Sequence, residues 1–468
     1  MEKTLRIKAM TLPLLVAVLL SLTGAVEAVW GLLQLAGIAE SGHPLYPLTG
    51  SFFNPGPYGC FLGMAVPASL ALALRRERWL SLTGAAALLL TAAPLAASMS
   101  RTGWAAAVGG CLLTCVMTLR HRFSTLSDAG RKKRTLSAVI AACAIIILAV
   151  VAAHALYSLK PESARGRVLI WKVSAMALAD APLQGVGPDR VAGAYGDAQE
   201  RYFRESEASG GIDPGEAMVA GAPEYLFNEY LQTGLAFGPL AMTAFILIIG
   251  LSLWAAIRGG ERGMAGCMAA FAIISLASYP LRFGLFLAAL PLLAAGCLAG
   301  GWTRRRWLKM SAIAAALLPL GAMCTVLAVS PASDRRAHQL FQTGLALHRA
   351  GRLAQSDSLM QATLRVSSDP MPLNILGKNS QARKDYKAAE AYFRRASLRK
   401  PSALYPRYLL MLLYVEAGRE SEALREAGRI LAMPTKVGSP AEDDIRRRAR
   451  EVIIDWEDSH PLPDMSSR

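Results

Sequence analysis

Long apolar runs separated by short basic clusters constrain this chain more than any other feature. A helix of about twenty apolar residues crosses the hydrocarbon core of a bilayer. Runs of that kind stand near 11–37, 58–74, 80–98, 103–119, 136–157, 235–257, 264–280, 283–301 and 310–329. Hydrophobic residues make up 53% of the 468 and charged residues only 18%, an apolar balance for a water-soluble chain. The expectation is an all-α membrane protein, a polytopic transmembrane helical bundle of about nine spans.

The positive charge orients it. With the N-terminus inside, the basic connections 75–78, 120–134, 258–262 and 303–309 all fall on the cytoplasmic side, as the positive-inside rule requires. The net charge of +16 is therefore spent on topology. It is scattered in short clusters and forms no continuous stripe, which argues against nucleic acid as a partner. The N-terminal Lys3, Arg6 and Lys8 precede an apolar stretch from Met10 to Gly37. That stretch is too long for a signal peptide core, so it reads as an uncleaved first span. The outer side receives the loop 39–57, a long polar loop at 158–234 and everything after Ser330.

Beyond Ser330 the composition turns charged and a repeat of about 34 residues emerges, the period of tetratricopeptide hairpins. Its middle copy runs through Asn374, Leu376, Gly377, Asp385, Tyr386, Ala388, Ala389, Tyr392, Phe393, Ala396 and Pro401. Flanking copies align through Gly344, Gly351 and Pro370, and through Gly418, Ala423, Ile430 and Pro434. Small residues let paired helices approach, and proline stops the second helix. A last helix is announced by Ser439, Pro440 and Glu442, a capping-box pattern. Two domains follow: 1–330, a transmembrane part with the large loop 158–234, and 331–468, a tetratricopeptide-type α-solenoid outside the cytoplasm.

Within the outer loop and its flanks, a few polar residues are placed for chemistry. Arg165 and Arg167 stand at the outer mouth of a span, where positive charge is least expected. They either snorkel to the interface or grip an anion with forked, permanently charged guanidinium groups. Arg101, in Ser100-Arg101-Thr102-Gly103, sits between two spans with almost no loop to solvate it, which calls for an anion or an acidic partner. Arg282 is placed similarly. Asn228 and Glu229 open the run after the loop as helix caps and, without excluding that, Glu229 is a carboxylate that pairs with an arginine or takes a hydroxyl proton. Gly185-Val186-Gly187 lacks the strand and helix of a dinucleotide fingerprint and reads as a turn. The aromatic collar 52–58 suits an interface, or a lipid or sugar.

Other chemistries lack their residues. The cysteines Cys60, Cys111, Cys115, Cys143, Cys267, Cys297 and Cys324 lie in or beside apolar runs without a CxxC pair, so no disulfide framework is expected. No HExxH or His/Cys cluster has zinc spacing, and the loop 39–57 lacks paired carboxylates. No metal and no cofactor is expected. A transporter would place ionisable residues at mid-membrane depth, and only Glu27 lies inside a proposed span. A non-catalytic scaffold that recruits a periplasmic protein through 335–468 is the other alternative. Deleting 335–468 would then remove all function, whereas an enzyme would keep some.

The motifs SRTG at 100–103, RGRVLIW at 165–171, PLQGVG at 182–187 and FNEYLQTGLAFG at 227–238, in this order around one long outer loop, resemble the O-antigen ligase and polymerase superfamily. The repeat tail resembles the branch of that superfamily found in the Bacteroides group. The resemblance implies a GT-C-like, inverting, metal-independent glycosyltransferase of the bacterial inner membrane. Its donor would be an undecaprenyl-diphosphate-linked glycan. Its acceptor would be a hydroxyl of lipid A–core, of another glycan (a polymerase) or of a protein. Arg165 or Arg167 would then contact the diphosphate, joined by Arg101 and Asn228, with Glu229 beside the acceptor. Two departures stand out. Many members carry a histidine where this chain has Tyr225, Leu226, Phe227, Asn228 and Glu229, and about nine spans are fewer than the usual twelve or so.

Overall fold

The computed structural model of the protein describes residues 10–123, 161–329, 333–434 and 438–459. The described residues are helical, with no strand, and divide into two compact units. The expected span at 136–157 lies outside the described residues.

The first unit holds residues up to Pro161, 227–234 and 239–330. Six of its helices are long and apolar enough to cross a membrane: Leu12–Leu35, Pro55–Ala73, Arg78–Ala97, Arg101–His121, Pro239–Gly259 and Arg306–Val329. Two further apolar helices, Arg262–Ala277 and Gly284–Ala299, have 16 residues each, where runs at 264–280 and 283–301 were expected to be spans. The chain leaves helical geometry at Ser278 and Tyr279, and a short 3-10 turn at Pro280–Arg282 joins the two.

Pro55–Ala73 is the centre of this unit, packed against Leu12–Leu35, Arg78–Ala97, the helix from Arg101 and Arg262–Ala277. Glycine makes that possible. A Cβ on Gly63 would stand 2.3 Å from the Gly103 carbonyl oxygen, and one on Gly103 would stand 2.3 Å from that of Gly59. Between helices in lipid there is no hydrophobic drive, so such backbone approach carries the packing. Leu82, Leu89, Leu247 and Leu318 are exposed, as lipid-facing residues are.

Glu27, the one charge inside an expected span, has a structural role. Its carboxylate accepts from the Ser51 N–H at 3.0 Å and the Ser51 hydroxyl at 2.6 Å. Two turns further, Gln34 accepts from the Thr49 and Gly50 N–H groups at 2.9 and 2.8 Å. The first helix thus satisfies the buried backbone of the connection that follows it.

The second unit joins 162–226 and 235–238 to the residues after Ser330. The C-terminal helices Ser333–Arg349, Leu353–Leu364, Met371–Ala382, Tyr386–Arg399, Leu404–Glu416, Glu420–Ala432 and Pro440–Ser459 each pack on the next. Gly377 faces the Phe393 ring at a distance that leaves no room for a Cβ, and Ala389 and Ala396 are fully buried. The Glu442 N–H donates to Ser439 Oγ at 3.2 Å, so the last helix begins at its expected cap. The polar loop contributes Pro161–Asp180, Val191–Ala208 and Pro214–Val219, and Val191–Ala208 lies against Leu353–Leu364 and Tyr386–Arg399.

Candidate active site

Ser100 shapes the first corner. Its Oγ accepts from the Gly103 N–H at 3.2 Å and donates to the Gly56 carbonyl at 2.9 Å, capping the helix that starts at Arg101 while tying it to the helix that starts at Pro55. Met99 before it has φ +50°, a left-handed conformation uncommon for a side-chain-bearing residue. Gly103 permits the close approach described above. Arg101 is therefore fixed at a helix start, half-buried.

Asn228 and Glu229 form the second corner. Asn228 Oδ1 accepts from the Leu231 N–H at 3.0 Å, so it caps the helix Glu229–Phe237. Glu229 is buried, and its Oε2 accepts from the Leu281 N–H at 3.1 Å. Burial raises its carboxyl to about 7, opposed by the Leu281 hydrogen bond and the nearby charge of Arg282. A carboxyl poised there can hold or release a proton near neutrality. Around it, Phe227 (φ +49°) meets Tyr279 edge-on at 5.2 Å, and Tyr279 lies 5.8 Å from Phe283. The expected span from 235 instead breaks at Gly238 (φ +93°) and restarts at Pro239.

The arginine pair lies in the other unit. Arg165 is exposed and Arg167 half-buried on the helix Pro161–Asp180. Arg165 makes no ion pair with any described residue. The same helix is braced further along: Lys172 Nζ donates to Tyr202 Oη at 2.6 Å and to Glu216 Oε1 at 3.1 Å, and Tyr202 Oη donates to Glu216. These hydrogen bonds raise the Lys172 ammonium above its ordinary value. Arg201 pairs with Asp180 at the helix end.

Gly185-Val186-Gly187 is a docking turn. The Val186 and Gly187 N–H groups donate to the Leu235 and Ala236 carbonyls at 2.9 and 3.0 Å. Gly185 and Gly187 have φ of +76° and +93°, which glycine alone adopts without strain.

Arg101, Asn228 and Glu229 thus belong to one unit, and Arg165 and Arg167 to the other. Leu281 entered the site unannounced, because a backbone donor has no sequence signature. Among the described residues, no group of three His, Cys, Asp or Glu side chains is placed to hold a metal ion.

Residues 85–246 match the family model described as O-Antigen ligase. The match contains Arg101, Arg165, Arg167, Asn228 and Glu229 and stops short of Arg282 and the C-terminal helices. No curated protein and no solved structure matches the chain. The apolar helices point to a membrane protein, and its stretch 85–246 is similar to O-antigen ligases.

Proposed function

We propose that the protein transfers a glycan from undecaprenyl diphosphate to an acceptor hydroxyl at the outer face of the inner membrane. The observation that carries this reading is the O-antigen ligase match over 85–246, a stretch that holds all five candidate residues, the buried Glu229 among them.

In this mechanism Arg165 and Arg167 bind the diphosphate and stabilise the charge that develops on it, and Arg101 adds a further positive group. The acceptor oxygen attacks the anomeric carbon from the face opposite the leaving group. A carbon–oxygen bond to the acceptor forms, the bond to phosphate breaks, and undecaprenyl diphosphate departs with the electron pair. Glu229 takes the hydroxyl proton, and Asn228 fixes the helix start that presents it. Diphosphate needs little protonation to leave, so electrostatic stabilisation supplies most of the rate. The basic connections 75–78, 258–262 and 303–309 lie in the cytoplasm, and the loop and a tetratricopeptide-type tail lie in the periplasm.

The test is a deletion strain complemented with the wild type or with Arg165→Ala/Arg167→Ala. Wild type restores glycan attachment and the double variant, at equal abundance in the membrane, does not. Equal restoration by both refutes the reading. The product lost in the deletion strain, whether ligated glycan, chain length or glycoprotein, identifies the acceptor.

A further inference from the structure

The C-terminal helices carry a surface that the scaffold alternative gives to a separate protein. The structure assigns that surface to the chain's own loop: we propose that Arg399, with Asp197 and Gln199, latches the arm bearing Arg165 and Arg167 onto the C-terminal helices, and that this latch positions the donor-binding arginines. Its functional meaning rests on the reading of Arg165 and Arg167 given above.

The contact is built, face against face. Gly193, Gly196, Asp197 and Glu200 follow the i, i+3, i+4, i+7 spacing of one helix side. A Cβ on Gly193 would stand 2.2 Å from the Arg365 carbonyl oxygen, and one on Gly196 would stand 2.5 Å from the Arg399 guanidinium. At Gly193 the facing atom is backbone, so any larger residue would push the helices apart, and at Gly196 it would displace the Arg399 guanidinium.

Polar groups then set the register. Arg399 is fully buried, and its Nη2 donates to Asp197 Oδ1 at 2.7 Å and to the Gly193 carbonyl at 3.3 Å. Gln199 Nε2 donates to the Arg399 carbonyl at 2.5 Å and to the Gly221 carbonyl at 2.8 Å. Arg395 Nε donates to the buried Glu200 at 2.9 Å. The Ser368 hydroxyl donates to the Pro223 carbonyl at 2.8 Å, and Arg336 pairs with Asp189 at 2.8 Å. A slipped register would take these partners from the buried Arg399 and Glu200, which is costly. Side-chain bonds link the arm to the helix that carries the arginine pair, through the Arg201–Asp180 bridge and the Lys172, Tyr202 and Glu216 bonds. Arg399 is thus a positioning residue, acting through the arm and not on substrate.

Hydrogen exchange on the purified full-length protein in nanodiscs tests the latch without reference to activity. In Arg399→Leu and in Asp197→Asn, whose exposed side chain is the safer change for folding, amides of 191–208 should exchange on the order of a hundredfold faster in the first and about tenfold faster in the second. Amides of 404–432 should keep wild-type protection in both. The same variants should raise KM for the lipid-linked donor about tenfold with kcat nearly unchanged, and Arg419→Ala, a surface pair elsewhere on these helices, should alter neither. Wild-type protection of 191–208 in both variants overturns the latch, as does loss of protection across 404–432 as well. Faster exchange at 191–208 with an unchanged donor KM would leave the contact standing and overturn its role in positioning the donor.

Discussion

The two units hold themselves together by different means. In the first, helices meet through missing side chains: Gly59, Gly63 and Gly103 bring two backbones together, and a Cβ on Gly110 would stand 2.6 Å from the Gly266 carbonyl oxygen. Neutral hydroxyls add short bonds between helices, as from Ser21 to Ser69 at 2.9 Å and Thr114 to the Arg262 carbonyl at 3.3 Å. In the second unit glycine contacts, as at Gly193 and Gly377, are joined by ionic ones, as at Arg399–Asp197, Arg395–Glu200 and Arg407–Glu426. Lipid and water explain the contrast. Hydrocarbon rewards close backbone packing and penalises charge, while an aqueous unit uses paired charges to choose one register among many.

The contrast is most easily broken at Gly63. Gly63→Leu drives a side chain into the Gly103 backbone, which cannot step aside as a rotamer can. The cost should exceed the roughly 1–3 kcal/mol usual for overpacking, and the expected outcome is loss of monodisperse protein by size-exclusion chromatography. In the second unit, Arg165→Ala/Arg167→Ala should leave folding intact and lower the transfer rate about 10²- to 10³-fold, measured with purified protein and a lipid-linked donor.

Glu229 sharpens the comparison, as a carboxyl buried in the first unit. If its ionised form accepts the proton, the rate falls as pH drops through about 7. Glu229→Gln removes that acidic limb and lowers the rate about a hundredfold. Arg282 lowers the Glu229 value by its charge, so Arg282→Ala should move the limb to higher pH in a pH–rate profile. The smallest effect is expected at Ser439→Ala, which deletes one cap bond and should cost about 1 kcal/mol, seen as a small fall in thermal midpoint.

Local features were legible in the sequence and distant ones were not. The cap at Ser439, the helix start at Asn228 and Glu229, and the packing of Gly377 under Phe393 each follow from residues a turn or a hairpin apart. The O-antigen ligase resemblance, read from four short motifs, agrees with the family match over 85–246. Glu27 was visible as an anomaly, yet its partners on the Ser51 connection were not. Arg399 gave no signal, because it looks like any basic residue ending an amphipathic helix and its partner Asp197 is 202 positions away. The turn at 185–187 was read correctly, while its docking on Leu235 and Ala236 depends on carbonyls that any residue carries. The latch also changes one expectation: if the C-terminal helices support the arm, deleting 335–468 removes transfer from an enzyme as surely as it would silence a scaffold.

Sidedness tests the proposed transfer most directly, since that transfer requires the arginine arm to lie outside the cytoplasm. With the seven native cysteines replaced by alanine, a single cysteine at Ala208, exposed at the end of its helix, should react with a membrane-impermeant maleimide in spheroplasts. Reaction in inverted vesicles alone would put the arginine arm on the cytoplasmic side and contradict the mechanism.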